Sequence, residues 1–266
     1  ETPTDPVSYT YVFEDNFPLV GDYDFNDVVL DVETYYHREK KTNHIKRIQL
    51  DVTLAAAGAS KPLGVGLRIT GINKSDIREV KTGGDDSRFQ ESFNSSYNKF
   101  RYNNVTYMED SDPSVVIPIA GEVHNVFGVE PGEMVNTGIG VTAKKYTYEV
   151  IIELADQTRT EPPFSKDNLD FFICYQYKSM EVHLYEFWGY GATAAGTIQQ
   201  ENLDLAGNNT WAICVPYGFR YPKETINVSR TDIPEASAYP EFIYWAQDRT
   251  QYTEWYEHPV EENVYR

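Results

Sequence analysis

The chain has 266 residues, 41% hydrophobic and 14% aromatic, enough to build a sizeable core in one large β domain or two smaller ones. Its 41 acidic side chains outnumber 23 basic ones, for a formal net charge of −18, which argues against nucleic acid or an anionic membrane as a partner because both are met with basic patches. That sign suits a soluble extracellular protein or one that holds divalent cations, and no apolar run reaches the roughly eighteen residues that a membrane-spanning helix needs.

Residues 1–8 are Pro-rich and polar and read as a tether. The abrupt Glu1-Thr-Pro start reads as a mature chain whose targeting segment has been removed. Residues 9–13 alternate as a strand, residues 14–27 form an acidic loop, and residues 28–36 return to strand. In that second strand Val28, Leu30 and Val32 share one face, and Asp27, Val29, Asp31 and Glu33 share the other. A charged turn leads to another alternating run over 45–54, which predicts a hairpin. Ala55-Ala-Ala-Gly58 is small enough to allow a close backbone approach.

Residues 63–70 read as a strand and 81–107 as a long polar excursion. Strands follow over 115–119 and 146–154, and a hairpin over 169–177 and 180–187 turns about Lys178 and Ser179. Residues 189–207 read as a loop, 211–216 as an apolar strand, and 225–228 as a further short strand. Residues 239–248 read as a helix: Pro240 suits its first turn, and Phe242, Ile243, Trp245 and Ala246 form an apolar face. The expected fold is all-β, an antiparallel, jelly-roll-like β-sandwich over 9–266 with one short C-terminal helix.

The chemistry concentrates in Gly21-Asp-Tyr-Asp-Phe-Asn-Asp27. Two unit charges about 5 Å apart repel by roughly 1 kcal/mol in water and about 3 kcal/mol at an effective dielectric near 20. Apolar neighbours at Tyr23, Phe25 and Val28 exclude water and worsen that repulsion. A hard cation relieves it, and Ca2+ takes six to eight such oxygens. Asp22, Asp24, Asn26 and Asp27 are the first-choice ligands of a structural calcium site, with Glu14, Asp15 and Asp31 behind them. The competing reading is a solvated turn capped by its own side chains.

An EF-hand is excluded. Asp22, Asp24, Asn26 and Glu33 fit its first, third, fifth and twelfth positions, but Asp27 stands where that loop needs glycine. An extended segment would also carry Glu33 about 20 Å away.

Other chemistry is thinner. Cys174 and Cys214 lie in apolar runs without CxxC spacing, which disfavours zinc and favours two buried thiols over a disulfide. His37, His44, His124, His183 and His258 are scattered, with no HExxH motif, and His183 reads as a hydrogen-bonded structural residue. Glu149 and Glu153 are the carboxylate pair that an extracellular carbohydrate-active enzyme would need, and exposed-face glutamates on a strand are the commoner explanation. Trp188, Tyr190, Trp245, Trp255 and Tyr256 are candidates for stacking on a sugar or filling a partner's pocket.

The acidic motif followed by Val-Val-Leu-Asp resembles the signature of LruC-domain proteins, the DUF4842 family. Ala57-Gly-Ala-Ser with Gly64-Val-Gly-Leu, Glu181-Val-His-Leu184, Trp211-Ala-Ile-Cys-Val-Pro216 with Phe219-Arg-Tyr-Pro222, and Tyr239-Pro-Glu-Phe with Trp245-Ala-Gln247 and Trp255-Tyr resemble later segments of that family in order. Together these segments span roughly residues 9–258. After Leu184 the family continues Pro-Gly-Tyr, whereas this chain reads Tyr185-Glu-Phe-Trp-Gly. The resemblance implies a β-sandwich lipoprotein, secreted or lipid-anchored at the outer-membrane surface of Gram-negative bacteria, with any N-terminal lipid anchor missing from this sequence. It supplies no molecular activity. The expected role is a non-enzymatic, calcium-stabilised surface protein that binds a protein or glycan partner or builds a surface assembly.

Overall fold

The computed structural model describes residues 1–100, 114–175, 180–190 and 209–265. Its strands in chain order are β1 (Thr2–Pro3), β2 (Val7–Phe13), β3 (Val28–Arg38), β4 (Ile45–Ala56), β5 (Gly64–Asn73), β6 (Ile77–Gly84), β7 (Ser114–Ala120), β8 (Tyr146–Leu154), β9 (Leu169–Tyr175), β10 (Met180–Val182) and β11 (Ala212–Pro216). They form two antiparallel sheets. The larger runs β11-β2-β3-β4-β8-β6, with β1 paired to the end of β3, and the smaller runs β10-β9-β5-β7. This is the antiparallel all-β sandwich that the alternating pattern predicts.

Alternation decides what each strand buries. Tyr11 and Phe13 of β2, Val28, Leu30 and Val32 of β3, Leu50 and Val52 of β4, and Val150 and Ile152 of β8 point inward. They meet Val65 and Leu67 of β5, Ile117 of β7, and Phe171 and Ile173 of β9. Each such side chain contributes about 1.5–3 kcal/mol by leaving water.

The larger sheet is apolar on its outer face too, at one end only. There Val12, Val29, Ala55, Ala56, Ile213 and Val215 lie beneath Tyr221, Val228, Tyr239, Phe242 and Trp255. The segment following β11 therefore adds a third layer over β11, β2, β3 and β4. This explains why Val28, Val29 and Leu30 are buried in succession although strict alternation would expose Val29.

Several elements differ from expectation. Thr2 and Pro3, read as part of a tether, pair with Arg38 and His37. The 81–107 excursion begins with the end of β6 and continues as a helix, α1 (Asp86–Ser92), whose Phe89 stacks on Tyr148 at 4.9 Å. Residues 101–113 lie outside the described residues. A second helix not foreseen, α2 (Val123–Phe127), is capped by the Glu122 carboxylate on the His124 and Asn125 N–H groups and closed by Gly128 at φ 78°.

The C-terminal helix, α3 (Phe242–Gln247), is shorter than 239–248, and Phe242 and Ala246 are its buried members. The hairpin of β9 and β10 forms with Tyr175 opposite Met180, and its predicted tip at Lys178 and Ser179 lies outside the described residues. Beyond β10 the chain turns as a 3-10 helix over Tyr185–Tyr190, not a strand, because Leu184 and Phe187 are both buried three residues apart. The predicted strand over 225–228 is a turn in which Thr225 adopts φ 67°. Among the described residues no helix is long and apolar enough to cross a membrane.

Cys174 on β9 and Cys214 on β11 belong to different sheets and form no disulfide with each other.

Candidate metal centre

The acidic loop joins β2 to β3. Phe13 and Val28 are directly opposed in that pair, so residues 14–27 close on themselves at the rim of the larger sheet. Inside the loop, residues 23 and 25 take left-handed backbone: Tyr23 has φ 59° and Phe25 has φ 52°. Bulky residues in that region cost about 1–2 kcal/mol each, and burial offsets the cost. Tyr23 and Phe25 lie 4.9 Å apart, and both pack edge-on against Phe242, at 5.9 and 5.5 Å. The Tyr23 hydroxyl also donates to the Thr210 carbonyl at 2.9 Å.

With the aromatic rings anchored in the core, the intervening acids converge. Oxygens of Glu14, Asp22 and Asp24 all lie within 4.8 Å of one another. Asp22 is exposed, whereas Glu14 and Asp24 are buried, so the cluster opens to water on the Asp22 side. Glu14 is fully enclosed; one of its oxygens accepts the Phe25 N–H, and the other, Oε2, has no hydrogen-bond partner. Asn26 is fully enclosed too; its Nδ2 donates to the Pro222 carbonyl at 3.3 Å, and its Oδ1 has no partner. Asp24 is fixed from both sides, accepting from Thr225 N–H at 2.9 Å and from Asn26 N–H at 3.4 Å.

The electrostatics are one-sided. Burial holds the Glu14 carboxyl far above the usual carboxylate range, and Asp27, Asp24 and Asp22 push it further. Burial likewise raises Asp24 to about 8, helped by Asp22 and Glu224. Asp27 is driven up by burial and then by Asp15 and Asp24. Asp15 is raised by burial, although Lys61 Nζ, 3.2 Å from its Oδ1, pulls the other way. Without a further positive charge, this pocket takes up protons.

Of the four first-choice ligands, Asp22 and Asp24 enter the converging cluster, and Asn26, whose N–H bonds Asp24, has an unpartnered side-chain oxygen. Asp27 Oδ2 accepts the Asp15 N–H at 2.6 Å, while its charge is the first of those that raise Glu14. The third converging carboxylate is Glu14, which the β2–β3 pairing lifts to the base of the loop. Asp31 stands apart on β3, accepting from Thr10 Oγ1 at 2.6 Å. Sequence reasoning overlooked Glu224, whose carboxyl is raised to about 7 by burial and by Asp22. No local pattern marks it; it arrives on the segment that supplies Thr225 N–H to Asp24, a contact spanning 201 residues.

The remaining candidates resolve into structure. His183 is buried and bonded on both ring nitrogens, Nδ1 to Asp170 and Nε2 to Glu181, each at 2.9 Å. Burial alone would lower its pKa, but the Asp170 and Glu181 carboxylates outweigh that and hold it at about 9. Arg68 completes this network, bonding Asp170 at 2.8 Å. Glu149 and Glu153 sit four residues apart on β8, about 13 Å along an extended strand, too far for a glycosidase pair. Glu153 is also bonded to Lys81 at 2.6 Å.

Trp255, a candidate for an exposed platform, is 1% exposed and belongs to the core, because Tyr239 and Phe242 pack on it. Trp245 is half-buried under Arg249, whose guanidinium lies 4.0 Å above the ring. Tyr244 and Tyr252 are exposed side by side at 5.2 Å. The side chains of Trp188 and Tyr190 lie outside the described residues.

The family described as "Domain of unknown function (DUF4842)" matches residues 43–256, so the matched segment begins after the acidic loop. None of the curated proteins matches the chain. A crystal structure of a Bacteroides ovatus protein described as a "putative lipoprotein" superposes with a TM-score of 0.63 at 18% identity, covering 98% of this chain and 75% of that one. At that identity the likeness is one of fold. The family match, which takes in all of β4, every later strand and most of the third-layer segment, shows that the chain belongs to the DUF4842 family.

Proposed function

We propose that this protein is a calcium-clamped β-sandwich of the bacterial cell surface that binds a protein or glycan partner and performs no catalysis of its own. The observation that carries the metal reading is Glu14 Oε2, an enclosed oxygen without a hydrogen-bond partner on one of the three carboxyl groups, Glu14, Asp22 and Asp24, that converge. Desolvating such an oxygen unpaired costs several kcal/mol. The donor set is all oxygen, without His or Cys, which suits Ca2+ and disfavours zinc. Glu14, Asp22 and Asp24 would hold the ion, with Asn26 Oδ1 beside them, and its charge would let the carboxylates stay ionised at neutral pH. The role is structural: the ion stiffens the β2–β3 loop and the aromatic cluster that packs against it.

A surface location draws support from the "putative lipoprotein" description of the structural relative. A binding role draws support from the exposed Tyr244 and Tyr252 pair next to the Trp245 and Arg249 stack.

The test is thermal unfolding of EDTA-dialysed protein with and without added CaCl2. Calcium should raise the melting temperature of the wild type and leave that of Asp24→Ala unchanged. Identical melting of the wild type with and without calcium would overturn the metal reading. A glycan array probed with the wild type and with Tyr244→Ala addresses the partner.

A further inference from the structure

We propose that Glu224 is a further ligand of the same ion, so that calcium fastens the C-terminal layer to the N-terminal acidic loop. This rests on the calcium reading above and deepens it. Residues 222–228 already grip the loop by its backbone and side chains. Asn26 Nδ2 donates to the Pro222 carbonyl at 3.3 Å, Thr225 N–H to Asp24 Oδ2 at 2.9 Å, Asn227 Nδ2 to the Asp22 carbonyl at 3.0 Å, and Val228 N–H to the Tyr23 carbonyl at 2.8 Å. Glu224 sits in the middle of this grip, 9% exposed, held by its own N–H on the Thr137 carbonyl at 2.9 Å.

Its carboxyl faces Asp22 and the side chains of Thr137 and Asn26, and neither its Oε2 nor Thr137 Oγ1 finds a hydrogen-bond partner. A fourth carboxylate thus stands near Asp22 and Asp24, just outside the 4.8 Å convergence of the three that already repel one another. The nearby cations are spent elsewhere. Lys61 is bonded to Asp15, and Lys223 reaches away to the Glu262 carbonyl at 2.7 Å. Hydrogen bonds alone would be served as well by a neutral side chain at 224. A shared divalent ion accounts for the charge, the burial and the open oxygen together, since calcium sites gain affinity with each added carboxylate.

Fastening has a consequence for the layer itself. Thr225, Asn227 and Val228 lead directly into the packing of Tyr239, Phe242 and Trp255 over the outer face of the sheet. Removing the ion leaves four carboxyl groups between loop and layer that repel one another or take up protons, with nothing to draw them together, and the layer loosens from that edge.

Calorimetric titration with CaCl2 of wild type, Asp24→Asn and Glu224→Gln, combined with limited trypsin digestion in calcium and in EGTA, tests this. Glu224→Gln should weaken calcium binding by about tenfold or more, while melting in EGTA stays at or above that of the wild type, which shows that the variant folds. In the wild type, EGTA should open new cleavage sites at Arg220, Lys223 or Arg230. If wild type and Glu224→Gln bind calcium equally while Asp24→Asn fails to bind, the role of Glu224 is overturned and the site stands. If the wild type binds no calcium, the underlying reading falls and this one with it. Unchanged digestion in EGTA overturns the fastening.

Discussion

The side-chain oxygen of Asn26 occupies the space that a Cβ on Gly58 would need: an ideal Cβ there would lie 1.9 Å from Asn26 Oδ1 and 2.9 Å from the Asn26 carbonyl. Gly58 N–H also donates to the carbonyls of Asn26 and Asp27, at 3.0 and 3.1 Å, so the two backbones cannot separate without losing those bonds. Gly58→Ala should therefore displace the Asn26 side chain into the acid cluster. Overpacking of this kind costs about 1–3 kcal/mol. Denaturant melts should show a loss of that size, and calcium affinity should fall with it. A variant as stable as the wild type would mean that the loop has room that the geometry does not show.

The network around His183 makes a pH prediction. Its folded pKa, about 9, lies above the ordinary histidine value. The stabilisation from the protonated ring is thus fully present below about 6.5 and fades as pH rises through about 9. At 1.36 kcal/mol per unit, the full loss is on the order of 3 kcal/mol. Urea melts from pH 6.5 to 9.5 should show declining stability in the wild type. His183→Gln should be less stable at pH 7 and should decline less than the wild type over that range, the remaining slope coming from Asp24 and Glu224, and equal declines in the two proteins would contradict a charged His183.

Phe242 links the third layer to the acidic loop. It is fully buried against Tyr23, Phe25 and Trp255, with ring centroids 5.0 to 5.9 Å away. Phe242→Ala should cost about 3–5 kcal/mol. Because Tyr23 and Phe25 hold the loop's left-handed turns in place, calcium binding should weaken as well. Calorimetry on the variant, at a temperature where circular dichroism shows it folded, measures both effects.

The thiols give a simpler test. Burial raises the Cys214 thiol to about 11, and Cys174 is enclosed on the outer side of β9. Neither should react with a thiol reagent at pH 8 in the native protein, and both should react in guanidinium without prior reduction. A missing pair of thiols after denaturation would indicate a disulfide that this geometry does not contain.

The strands that were legible in the sequence are those with one clean apolar face. β3, β4 and β8 alternate, and their faces are set by Leu30, Leu50 and Ile152. β6 was not legible, because an edge strand carrying Arg78, Glu79, Lys81 and Thr82 buries little, and its polar run resembles a loop. α1 is one short helix pinned by Phe89, with too few residues to declare a period. The acids at 22 and 24 were legible because they are packed into one turn. Glu14 was only a second choice, since its approach depends on Phe13 pairing with Val28. Glu224 was invisible, because its place is set by a contact 201 residues long in sequence. At Asp27 the Oδ2 is taken by the Asp15 N–H, a pairing between the two ends of the loop that no local pattern marks.

The pairing of β2 with β11 has its own implication for how the molecule assembles. Tyr11 lies opposite Cys214, so nearly the whole polypeptide must exist before the opening strand acquires its second neighbour. Contacts of that span are slow to form. Until they do, Val12 and Val29 have no roof of aromatic rings, and a chain shortened before Tyr239 would display that greasy strip permanently and clump with its copies.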